Sequence, residues 1–171
     1  MNEHASIDLT ADQWNEAARG VNAWRGGCMQ CFALAEGAAT ETLLVLAAIE
    51  HRGSLVKLRH LIGQRFEDLA SAIDADGPFG KEGNAAAKAL AEFREREPLR
   101  THLAHGVAKV SLERNGRWVA VFRQTSIRAR VADVRTLVME EIEAEALLKQ
   151  LRQSTQKLCS CLDNMRRLLI G

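Results

Sequence analysis

From Val107 to Gln124 the chain reads VAKVSLERNGRWVAVFRQ, two β-prone runs on either side of Asn115–Gly116. Asn-Gly between alternating runs is the strongest short-range signal for a hairpin, because both residues tolerate the backbone a tight reversal needs. Strands are expected near Val107–Glu113 and Arg117–Arg123, so the chain cannot be a pure helical bundle. Everything around them is helical in pattern. Only 5% of the residues are aromatic, there is no Tyr, and there are two prolines. That composition favours helices over a β-sandwich.

The spacing predicts a first helix from Ala11 to about Trp24, with Thr10–Gln13 as a capping box, interrupted at Gly26–Gly27. A second helix is expected from about Cys28 to His51. Phe32, Leu34, Leu43, Leu44, Val45, Leu46 and Ile49 leave its C-terminal end little polar surface, which places that end deep in the core. Leu55, Leu58, Leu61, Ile62, Phe66, Leu69 and Ile73 step by three and four and predict a third helix. Asp74–Asn84 reads as a loop, and a fourth helix follows from about Ala85 to Glu95. Pro98 suits the first turn of a short helix that Gly106 would end. From about Val131 to Leu169 the pattern is helical again. There Leu148, Leu151, Thr155, Leu158, Leu162, Met165 and Leu169 form a stripe fit for an antiparallel helix pair or a dimer seam.

The fold expected is therefore mainly α: a helical bundle with one small hairpin, at about 107–123, before a long C-terminal helix. A chain of 171 residues suits a single domain over 1–171 and needs no disulfide or metal to fold. The start MNEHASIDLT lacks a basic segment followed by an apolar run, and no apolar run approaches the roughly 20 residues of a span, the best, TLLVLAAI (Thr42–Ile49), being far too short. The expectation is a cytoplasmic protein without a membrane partner, its four cysteines reduced. Cys28 and Cys31 have CxxC spacing at an expected helix start, but no βαβ pattern surrounds them. Cys159 and Cys161 point apart on a helix. A scaffold using these cysteines for redox chemistry or zinc is the minor reading. GPFGKEG lacks the closing Lys-Ser/Thr of a phosphate loop.

The chemistry concentrates in RTHLAHG, Arg100–Gly106. Between Arg94 and Arg130 nine Lys or Arg stand against three Glu, in a chain whose net charge is only +1. From Val131 to Leu151 the sign reverses, with five acids against two bases. A basic segment centred on two histidines is what a phosphodiester site requires. RNA carries its own nucleophile, the 2′-hydroxyl. A histidine can take its proton near neutral pH, and an arginine can hold the charge that develops on phosphorus. The candidates are Arg100 and His105 for catalysis, with Thr101, His102, Arg96 and Arg123 as weaker substrate contacts. His102 and His105 have no carboxylate at helical spacing, so no metal site is assigned and no cofactor is implied. Helical geometry sets Arg100 and His105 about 140° apart around the axis, whereas Thr101 and His105 share a face.

RTHLAHG resembles the signature of HEPN domains, an arginine followed after four to six residues by a histidine, often inside an R-N-x-L-A-H-G-like string. Arg100, Leu103, Ala104, His105 and Gly106 match that string. Thr101 departs from the Asn, Asp or His common after the arginine. Long helices before and after the motif, and a small hairpin between motif and last helix, resemble many bacterial members. The resemblance spans about Cys28 to Leu169, although only the seven-residue motif is specific. It implies a bundle that forms a homodimer and brings two motifs together, and a metal-independent endoribonuclease of the toxin–antitoxin or defence kind, with RNA and an antitoxin as partners. The alternative is a non-catalytic HEPN-like module that binds a protein partner or nucleotide.

Overall fold

The computed structural model describes residues 11–128 and 130–171. The Thr10 cap and the chain's first residues lie outside this range. The elements are α1 (Ala11–Ala48), a 3-10 turn (Arg52–Leu55), α2 (Ile62–Ile73), α3 (Gly80–Arg94), α4 (Glu97–His105), β1 (Val107–Leu112), β2 (Trp118–Arg128), β3 (Val131–Glu140) and α5 (Glu141–Ile170). The architecture is mainly helical, with a small antiparallel sheet ahead of the long last helix. The described chain divides into two compact units: 11–29 with Leu99–Lys149, and Gln30–Pro98 with Gln150–Gly171.

The expected break at Gly26–Gly27 does not occur, and α1 is continuous over 38 residues. A glycine inside a helix costs about 1 kcal/mol. Here that cost is offset by an apolar stripe that runs straight past the pair: Ala17, Val21, Trp24, Cys28, Phe32, Ala35, Ala39, Leu43 and Leu46 are all buried. The other face is open. Leu34 and Leu44 are exposed, so the helix end expected to be wholly buried is buried on one side only. By length and composition α1 could also cross a membrane, with 39% of its most apolar stretch buried inside the structure. No continuous apolar run shows this, because Glu36 and Glu41 interrupt the stretch while its Leu, Val, Phe and Ala residues keep the mean hydropathy high.

In the first unit the sheet has the order β1-β2-β3. Gly116 takes φ 82° and donates its N–H to Glu113 O, while Arg117 O accepts from Glu113 N–H. The hairpin therefore closes through a three-residue loop with a left-handed glycine. The third strand is a correction: Val131–Glu140 was expected to be helical. It pairs antiparallel with β2 in an unbroken register from Val119↔Glu140 to Arg128↔Val131. Val131, Val134, Leu137 and Val138 sit at helical steps, yet β-branched side chains gain more on a pleated surface beside a partner strand. No Gly, Asn or Pro marks the reversal, and Arg130 takes φ 66° there. The inward face of the sheet carries Trp118, Ala120, Phe122 and Met139, all buried. Trp24 of α1 lies against it, its ring 6.1 Å from Trp118 and 5.8 Å from Phe122. Its Nε1 donates to Ala144 O at 2.7 Å.

In the second unit Phe93 of α3 meets Phe32 of α1 at 5.7 Å and Phe66 of α2 at 5.9 Å. The α5 stripe is buried at Leu151, Thr155, Leu158, Leu162 and Met165, so it serves the chain's own core. Arg166 donates to Ala38 O and Thr42 Oγ1, and Cys159 approaches Leu34 O, so α5 runs parallel to α1. Lys157–Glu92 and Arg96–Gln150 contacts run the opposite way along α3, which supplies the expected antiparallel neighbour. The third helix begins only at Ile62. Leu55, Leu58 and Leu61 are exposed, because Arg59 ties its segment back onto α2. The Arg59 backbone N–H and Nε both donate to the carboxylate of the buried Asp68, at 3.1 and 2.7 Å. Burial alone would raise the Asp68 carboxyl, but the hydrogen bonds and charge of Arg59 outweigh it and hold the group below its ordinary value of 3.8.

Two outcomes are expected in thermal unfolding. An added Cβ at Gly26 meets nothing within 4 Å, so Gly26→Ala should stabilise by about 0.5–1 kcal/mol. Asp68→Asn should cost about 1–3 kcal/mol at neutral pH. The native Asp68 binds its proton less readily than the unfolded one. Its contribution is therefore present above pH 3.8 and lost as pH falls below that value, and this part of the acid dependence should vanish in Asp68→Asn.

Candidate functional site

The site is built on α4, which forms where expected. Pro98 sits in the first turn, where a missing N–H costs nothing, and Glu97 places an acid at the positive end of the helix. His102 and His105 occupy the last turn, where a cation is favoured. Leu103 is fully buried and anchors the helix. Helical periodicity then fixes the rest: Thr101 and His105 lie on the opposite, exposed face, and Arg100 and His102 are half-buried on the two flanks. His102 Nδ1 is buried without a hydrogen-bond partner among the described residues.

Gly106 ends the helix for a steric reason. Its N–H bonds His102 O at 2.8 Å. A Cβ there would collide with His102 O and come within 3.1 Å of Phe122 Cβ. The glycine thus lets the chain turn from α4 directly into β1 beside the buried ring of Phe122. Arg25 of α1, which the sequence reading missed, closes the same end. Its Nε donates to Leu103 O at 2.6 Å and its guanidinium lies 5.9 Å from the centre of the Phe122 ring. Nothing in the sequence marks Arg25, since it stands 78 positions from its partner.

The sheet brings Arg123 near this helix end, because Arg123 is in register with Val107, two residues past His105. Arg123 is exposed, as are Lys109, Arg114 and Arg117. Arg96 belongs to the second unit, where Nη2 reaches Gln150 Oε1 at 3.4 Å and lines a cavity of about 200 Å³ with Glu92, Gln153 and Lys157. The cysteines do not form the expected helix-start pair. Cys28 and Cys31 are buried in the middle of α1, and Cys159 and Cys161 are half-exposed on α5. All four are free thiols. Gly80–Glu82 of the expected loop instead forms the first turn of α3. A cleft of about 670 Å³ in the first unit was not foreseen. It is lined by Glu16, Arg19, Gly20, Trp118 and Glu141 and does not include the α4 residues.

Compared with known proteins, the chain matches no family model, no curated protein and no solved structure.

Gly106→Ala should destabilise by about 1–3 kcal/mol, the cost of forcing a methylene into a filled core. The variant's circular dichroism melt checks this against Gly26→Ala, which carries the same chemical change at an open position.

Proposed function

We propose that the chain is a metal-independent endoribonuclease of HEPN type, with His105 and Arg100 as its catalytic residues. The observation that carries the reading is the split character of α4. Leu103 and Gly106 are locked into the core, while His105 and Thr101 stay exposed on one face beside the half-buried Arg100. A histidine kept in solvent at a helix end, within a basic stretch, is free to exchange protons with a bound chain. In the reaction the ribose 2′-oxygen attacks the adjacent phosphorus and its proton passes to His105. Arg100 holds the charge on the phosphorane. The P–O5′ bond then breaks and the departing 5′-oxygen takes a proton from water, leaving a 2′,3′-cyclic phosphate and a 5′-hydroxyl. Lys109 and Arg123 extend the cationic track along the sheet. The angle of about 140° between Arg100 and His105 is the reason to include a second protomer, whose α4 completes the site. Under this reading the chain is cytoplasmic, and the stripe that α1 buries supports a core helix. A role as a toxin held by an antitoxin, or in defence, follows from the same resemblance.

Purified protein should cut total RNA in the presence of EDTA, with a pH profile that reports one histidine. His105→Ala should lower the rate by about 10²–10⁴ and Arg100→Ala by about 10²–10³, both with unchanged melting temperature. His102→Ala should cost less. Intact RNA after incubation with wild type would favour the non-catalytic binding module instead, and undiminished cleavage by His105→Ala would move the site elsewhere.

A further inference from the structure

The strand β3 is an edge. Among the described residues it pairs only with β2, and its other side offers a free row of backbone donors and acceptors along ten residues. Exposed edges of soluble proteins are usually blunted by prolines, bulges, short length or lysines. β3 lacks these: its register with β2 is unbroken and its sequence, VADVRTLVME, holds no Pro or Lys, while the charges it sets on the Met139 side, Asp133 and Arg135, are of opposite sign. The outward face beside it is open, with Val134, Val138 and Ile127 at 44, 56 and 79% exposure around the Arg123–Thr136 pair. The opposite edge, β1, is six residues long and carries Lys109 near its centre, where self-pairing would set like charges together.

From this we infer that β3 is an assembly seam for a second copy of this chain, the two β3 strands pairing antiparallel about Val134. A two-fold axis makes such pairing self-complementary. Centred on Val134, it sets Asp133 of each chain opposite Arg135 of the other. Asp133 and Arg135 already share a face in one chain, where Arg135 Nε lies 3.1 Å from Asp133 Oδ2. The seam therefore gathers four alternating charges, joins two three-stranded sheets into one of six, and makes Val134 and Val138 part of a continuous face. Shifting the centre by one residue would oppose Arg135 to Arg135, so the charges also select the register. The seam uses no residue of α4, so amide protection at β3, rather than dimer mass alone, separates it from the α4 contact that the ribonuclease reading invokes.

The test is a charge swap read by sedimentation and by amide exchange. Wild type should sediment at twice its 18.9 kDa mass at micromolar concentration, with β3 amide protection rising with protein concentration. Asp133→Arg and Arg135→Asp should each weaken self-association by about tenfold or more, as like charges face each other across the strands. Mixing the two single variants should restore the dimer as a heterodimer, and the double swap should restore it as a homodimer. The inference is overturned by a wild type whose β3 protection ignores concentration, by single variants that associate as tightly as wild type, or by a mixture that stays dissociated. RNA cleavage plays no part in the readout.

Discussion

The Trp24 ring is the constraint on which the first unit depends. One side chain touches Trp118 and Phe122 on the sheet and donates a hydrogen bond to the start of α5. Aromatic pairs of this kind contribute about 0.5–1.5 kcal/mol beyond the area they bury. They also require the sheet's inward residues to alternate correctly, since a slip of one position would turn Trp118 and Phe122 to solvent. Gly20 takes part in the same arrangement: a Cβ there would lie 3.1 Å from the Trp118 indole nitrogen. The stripe that seats Trp24 is also what carries α1 through two glycines.

Phe122 passes this constraint on to α4. With the His102 carbonyl oxygen it leaves room only for a glycine at 106, and it lies under Arg25, which binds the last turn of the helix. RTHLAHG is therefore two interleaved sets. Leu103 and Gly106 belong to the core and fix where the helix ends. Thr101 and His105 are what the core leaves outside, and Arg100 and His102 mark the border. Under the proposed function, the buried Leu103 and Gly106 hold His105 at a set position while keeping it wet.

The sequence made α4 and the first hairpin legible because their signals are local. Pro98, Gly106 and Asn115–Gly116 act through their own backbone preferences, and the structure keeps each where those preferences put it. Local signals failed where a distant partner decided. Val131–Glu140 satisfies a helical step as well as a strand, and only the pairing with β2 chooses. Leu55, Leu58 and Leu61 continue a helical period, yet Arg59 spends that segment on the Asp68 carboxylate. Gly26–Gly27 looks like a stop until Trp24, Cys28 and Phe32 are seen to bury the same face.

By itself, then, the sequence determined the helical class, the helix that bears Arg100 and His105, and the point where that helix gives way to a strand. These follow from periodicity, turn chemistry and side-chain type, which act over a few residues. Tertiary structure alone decided that α1 is one helix, that the sheet has three strands among the described residues with β3 at its edge, and that Arg25 closes the end of α4. Each of these is a competition between a local preference of about 1 kcal/mol and burial or pairing spread over many residues, and the larger sum prevails.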